Sequence, residues 1–179
     1  MDSSINQLIQ LERTNKWQDA VHMLYREWQQ NPMDMECLIR LICECWYIIM
    51  MWDCCIPSSS ISRDECEGTF FNAVRFGDEH FFDNAMYLCI VGYIMTLTPY
   101  LFPKNNDDVA TIEKKGLNYL SRAKTLRPND PICSILHSGF VNSVEQHCLL
   151  QQEFSSVLKE IKWNESRVSQ YFRYIIMLK

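Results

Sequence analysis

The stretch NKWQDAVHMLYREWQQNP, Asn15 to Pro32, decides the fold. Trp17, Ala20, Val21, Leu24 and Trp28 recur at spacings of three and four, which lays them along one face of an amphipathic helix. Asn31-Pro32 then stops that helix, because proline has no amide proton to donate and its ring crowds the preceding turn. The same period returns along the chain. Ile112, Gly116, Leu120 and Ala123 form a second face, Phe154, Val157, Leu158 and Ile161 a third, and Val168, Tyr171, Phe172, Ile175 and Ile176 a fourth. Strict alternation, the mark of half-buried strands, is hard to find. Five Gly and six Pro in 179 residues leave few turns for a many-stranded sheet. The pattern predicts an all-α protein of about nine helices in antiparallel hairpins.

Breakers mark the boundaries. Pro57 with Ser58, Ser59 and Ser60 reads as a loop, and Ser62 with Glu65 three residues later as a capping box that opens the next helix. Gly77-Asp78 reads as a break between two helices. Pro99 to Asp108 is a longer loop ending in an acidic N-cap. Pro128-Asn129-Asp130-Pro131 is a tight stop and restart, with Pro131 suited to a first helical turn. Asn164 is placed to cap the last helix. The connections are mostly short, and the expectation is a single all-helical domain over residues 1–179.

Two stretches raise the question of a membrane. Leu38 to Trp52 is interrupted by Arg40 and Glu44. Met86 to Phe102 has about 17 residues without a charge, the lower limit for a span, and Pro99 breaks it. Both read as buried core helices. The opening MDSSINQLIQ lacks the basic and then apolar order of a secretory signal. The nine cysteines (Cys37, Cys43, Cys45, Cys54, Cys55, Cys66, Cys89, Cys133 and Cys148) are odd in number, and several fall in apolar helical patterns. They read as reduced core residues of a cytoplasmic protein, where a thiol behaves as a small hydrophobe.

An internal repeat is also visible. Trp17, Ala20, Leu24 and Pro32 keep a spacing that returns at Gly116, Leu120, Ala123 and Pro128, while Leu88, Val91, Gly92 and Met95 follow a large-large-small-large order. These spacings resemble the two helices of a tetratricopeptide unit. In that family small residues let two helices approach and large ones fill the remaining gap, and stacked hairpins bury a continuous core. Glu27 departs from the pattern, and residues 53–80 fit no phase of it. An irregular helical bundle with similar spacing is the competing architecture.

Residues that carry chemistry are sparse. His22, His80, His137 and His147 form no H-E-x-x-H. Cys43-x-Cys45 and Cys54-Cys55 supply no C-x-x-C pair, so neither a metal nor another cofactor is expected. No phosphate-binding glycine loop or nucleophile elbow occurs, and the carboxylates lie in no context that suggests a shifted pKa. The expectation is that the protein is not an enzyme. A Cys/His pair distant in sequence stays open as an alternative.

Charge is unevenly spread. Residues 1–100 carry 14 acids and 6 bases, whereas residues 101–179 carry 8 acids and 11 bases. The overall charge of −5 disfavours nucleic-acid binding, which needs a positive field. Asp64, Glu65, Glu67, Asp78, Glu79 and Asp83 are interleaved with Phe70, Phe71, Phe76, Phe81 and Phe82. Acids steer encounter with a basic partner, and aromatic rings supply desolvated anchors. Trp52 and Phe82 are the anchors predicted here. The bases Lys114, Lys115, Arg122, Lys124 and Arg127 read as a solvated helix face.

A small, acidic, helical chain of this character resembles bacterial immunity proteins of the contact-dependent growth inhibition type. The resemblance implies that the chain binds and neutralises one cognate toxin domain, a basic nuclease, by steric and electrostatic occlusion. The alternative is a tetratricopeptide-like adaptor or secretion chaperone that takes a peptide in a groove lined by Met86, Cys89, Tyr93 and Thr96. The sequence leaves the oligomeric state open.

Overall fold

A computed structural model of the chain describes residues 2–52, 54–102, 108–160 and 164–177. Among these residues lie ten α-helices and two 3-10 turns, and the one β feature is an isolated bridge between Trp52 and Ile56. The fold is all-α, and the helix count is close to the nine that the apolar period predicts. Contacts group into two compact units, Met1–His80 with Trp163–Phe172, and Phe81–Lys162 with Arg173–Lys179.

The first unit contains α1 (Asp2–Arg13), α2 (Trp17–Gln30), α3 (Met35–Met50), α4 (Arg63–His80) and the start of α10 (Arg167–Met177). The apolar face of α2 is buried along its whole length, at Trp17, Ala20, Val21, Leu24 and Trp28. The corner between α1 and α2 turns on Asn15, whose φ of 56° lies in the left-handed region that asparagine tolerates. α3 packs against both α2 and α4 and buries ten of its sixteen residues. The Trp46 ring stands 5.4 Å from Tyr171 and 5.8 Å from Phe172 of α10.

The second unit contains α5 (Ala85–Leu97), α6 (Val109–Leu126), α7 (Pro131–Val141), α8 (Val144–Glu153) and α9 (Ser155–Glu160), together with the end of α10. α5 buries every residue except Met86 and Leu97, as expected for a helix apolar all round. Its main partner is α6. Gly92 and Gly116 face each other across that hairpin, and Leu120 and Ala123 fill the seam beside them.

One short connector recurs three times, at residues 31–34, 81–84 and 127–130. In each, the amide of the last residue donates to the carbonyl of the first, at 2.9, 2.9 and 3.2 Å. That last residue then caps the following helix. Asp34 accepts from the Cys37 amide at 3.0 Å, Asn84 from Tyr87 at 3.2 Å, and Asp130 from Cys133 at 2.9 Å. Each cap satisfies an amide that the helix start leaves without a partner.

Several boundaries differ from the sequence-based expectation. α4 runs through Gly77-Asp78 to His80. A helical glycine costs only about 1 kcal/mol relative to alanine, and Gly77 is buried, so the stop falls instead at Phe81–Asn84. Asn164 does not cap α10. It accepts the Ser166 amide at 3.0 Å, and Ser166 is the cap, accepting from the Ser169 amide at 3.0 Å. The face at Phe154, Val157 and Leu158 is broken because α8 ends at Glu153; Leu158 is buried, Val157 is exposed, and Ile161 lies outside the described residues. Asp108 caps α6, accepting from the Thr111 amide at 2.8 Å, while residues 103–107 lie outside the described residues. No helix among the described residues is long and apolar enough to cross a membrane.

Candidate functional site

The predicted acids fall into separate groups. Asp64, Glu65 and Glu67 occupy the start of α4, where negative charge complements the helix dipole. Two of them are already engaged. Glu65 Oε1 lies 2.6 Å from Nε2 of His22, a bond that holds the Glu65 carboxyl below the usual range. Glu67 accepts from Arg63 Nε at 2.8 Å. Asp78 and Glu79 lie near the other end of α4, eleven residues beyond Glu67 and roughly 16 Å further along the axis at 1.5 Å per residue. Asp83 belongs to the second unit and forms an ion pair with Arg122.

The aromatic residues differ sharply in exposure. Phe70 is fully buried, and Phe71, Phe76 and Phe81 are half-buried. Phe82 is 51% exposed, and the Arg122 guanidinium lies 5.6 Å from its ring centroid. Arg122 thus holds both Phe82 and Asp83, and a connector tip that would otherwise sample many rotamers is pre-organised. Trp52 is half-buried, with Arg63 over its ring at 5.7 Å.

The bases of α6 are locally committed. Lys124 donates to the Pro128 carbonyl and to Ser134 Oγ, Arg127 lies 3.9 Å from Asp130, and Lys115 sits over the Tyr119 ring at 5.2 Å. The groove residues of the adaptor reading are covered. Cys89, Tyr93 and Thr96 are buried, the Thr96 hydroxyl donates to the Gly92 carbonyl at 2.8 Å, and only Met86 is half-exposed.

One Ser–His pair has the look of chemistry. Ser138 Oγ lies 2.6 Å from His147 Nδ1, but it also lies 2.9 Å from the Ile135 carbonyl. A hydroxyl has a single proton, and the carbonyl can only accept it. When the hydroxyl gives its proton to the carbonyl, His147 Nδ1 is the donor to Ser138, the reverse of what a base activating a nucleophile must do. Among the described residues, no three His, Cys, Asp or Glu side chains are grouped so as to hold a metal ion.

Sequence reasoning missed a buried pair of carboxyl groups. Glu12 of α1 and Glu44 of α3 are 0% and 1% exposed, so the expectation that no carboxylate has a shifted pKa is overturned. Burial pushes Glu12 up to about 7, against the pull of Arg167, and pushes Glu44 well above the carboxylate range. The signal was present in the run around Cys43-Glu44-Cys45-Trp46. A carboxyl in the middle of an apolar helix must lose its charge or find partners.

No protein family, curated protein or solved structure matches the chain.

Proposed function

We propose that this chain is an immunity-type binding protein that neutralises a delivered toxin domain, a basic nuclease, by covering its cationic surface. The observation that carries the reading is the position of Asp78 and Glu79 near the C-terminal end of α4. Negative charge at a helix C-terminus opposes the dipole by about 0.3–1 kcal/mol per residue, so the helix dipole gives no reason for acids there, and Glu79 is exposed. Steering a cationic partner gives them a role. Phe82, held by Arg122, supplies the kind of rigid ring that dominates binding energy once desolvated. The adaptor reading has no comparable support, since three of its four groove residues are buried.

The test is a kinetic one against a basic nuclease toxin domain, looked for first in the product of the neighbouring gene. Asp78→Lys with Glu79→Lys slows association about tenfold at low salt and flattens its salt dependence. Phe82→Ala speeds dissociation about thirtyfold, the equivalent of 2 kcal/mol. Unchanged rates in the double and Phe82 variants, or a partner that proves acidic, would overturn the proposal.

A further inference from the structure

A cavity of about 380 Å³ lies in the second unit between α8, α9 and α10. Its floor is apolar. Leu158 of α9 and Ile176 of α10 are 2% and 1% exposed, and Cys148 of α8 and Met177 of α10, both half-buried, stand beside them. Toward solvent the lining turns polar, and Lys159 of α9 is exposed there. Gln151 of α8 is already engaged. Its side-chain amide donates to the Ile176 carbonyl at 3.3 Å and ties α8 to the last turn of α10 beside the cavity.

α8 is poorly seated for its composition. None of its ten residues is buried, although Val144, Cys148, Leu149 and Leu150 are apolar. It packs mainly on α7, and Cys148 meets the cavity. A run of methylene groups laid against Cys148 would supply apolar contact that α8 lacks.

The chemistry of the lining narrows the occupant. Cavities of roughly 300–1,000 Å³ take small molecules, with mostly apolar walls and a few polar groups that fix orientation. The described lining residues include no aromatic ring on which a base, a flavin or a porphyrin could stack. Leucine, isoleucine and methionine suit a flexible aliphatic chain, and methionine adapts to irregular shapes. Lys159 is the one charged side chain among the described lining residues, and an ammonium group pairs with an anion.

We infer that the cavity between α8, α9 and α10 binds one medium-chain aliphatic carboxylate, with its chain against Cys148, Leu158, Ile176 and Met177 and its carboxylate at Lys159.

The test is calorimetric titration of the full chain with octanoate, decanoate and dodecanoate, each below its micelle concentration. One molecule binds per chain, and affinity rises about fourfold for each methylene added. Lys159→Glu, at an exposed position, weakens decanoate about tenfold and leaves the neutral decanol unchanged. Cys148→Phe fills the cavity and abolishes binding of both. In the wild type, bound decanoate slows alkylation of Cys148, while Cys54 and Cys55, exposed in the first unit, react as before. Absence of binding to the wild type, decanol held as tightly as decanoate, or an unaltered decanoate affinity in Lys159→Glu would overturn the inference. Should Cys148→Phe fail to fold, the wild-type alkylation rates decide, and a Cys148 rate unchanged at saturating decanoate rejects the site.

Discussion

Gly92 and Gly116 meet backbone to backbone. A methyl group on Gly92 would stand 2.9 Å from the Gly116 carbonyl oxygen, and one on Gly116 would stand 2.8 Å from that of Gly92 and 2.5 Å from Thr96 Oγ1. Apart from the Thr96 hydroxyl, the obstructing atoms are helical backbone and the Cβ atoms of Met95 and Tyr119, which cannot swing aside as a side-chain tip can. This contact sets the separation of α5 and α6, and through it the seam on which the second unit is built.

Gly116→Ala is accordingly expected to lower stability by about 2 kcal/mol. Overpacking costs roughly 1–3 kcal/mol, and the gain in helix propensity returns less than about 1. Urea unfolding monitored by circular dichroism measures the change. A neutral result would show that the two helices are free to move apart.

Gly68→Ala is expected to do the opposite. Gly68 is exposed within α4, and nothing lies within 4 Å of the position a Cβ would take. The substitution removes backbone entropy from the unfolded chain without crowding the folded one, for a gain of about 0.5–1 kcal/mol. The same unfolding experiment reads the sign, and a loss of stability would contradict the open position.

The repeated connector predicts two similar losses. Asp34→Ala and Asp130→Ala each remove a side chain that accepts an amide at the start of a helix. Each should cost about 1 kcal/mol. The two caps belong to different units and share no partner, so the double variant should show the sum within about 0.5 kcal/mol.

Thiol labelling should divide the cysteines by burial. Cys54 and Cys55 are exposed, Cys148 is half-buried, and Cys37, Cys43, Cys45, Cys66, Cys89 and Cys133 are buried. Burial raises the Cys37 thiol to about 11 and Cys43 beyond it, and hydrogen bonds to Cys66 and Cys133, together with burial, push Cys45 and Cys89 well above the ordinary thiol value, which leaves almost no thiolate to react at neutral pH. Alkylation followed by mass spectrometry should label the first two rapidly, Cys148 more slowly, and the other six only after unfolding. Rapid labelling of a buried cysteine would reveal local opening of its helix.

Much of this architecture is legible in the residues themselves. The face of α2 and that of α6 are written in their spacing, and the Pro131 start and the Asp108 cap are local chemistry. α5 is recognisable as an interior helix from its unbroken apolar run. The misplaced boundary at Gly77-Asp78 has a simple origin. A turn-prone dipeptide weighs little against a helix held by Ala73, Val74 and Gly77 in the core. The binding residues are harder to read, because charge can be counted in one dimension but neutralised in three. Glu65 meets His22 and Asp83 meets Arg122 only after folding. The Glu12–Glu44 pair lies beyond any local window, although Glu44 alone, in the middle of an apolar helix, marks a place where burial and charge conflict.

The seating of Tyr171 and Phe172 on Trp46 has a consequence for synthesis. A chain leaving the ribosome exposes its α3 indole long before the two rings that cover it are made. Through most of translation the first unit is incomplete and greasy, the state that holding chaperones recognise and that aggregates when none is at hand. Truncations that remove α10 should therefore accumulate in inclusion bodies, however well their remaining helices are formed.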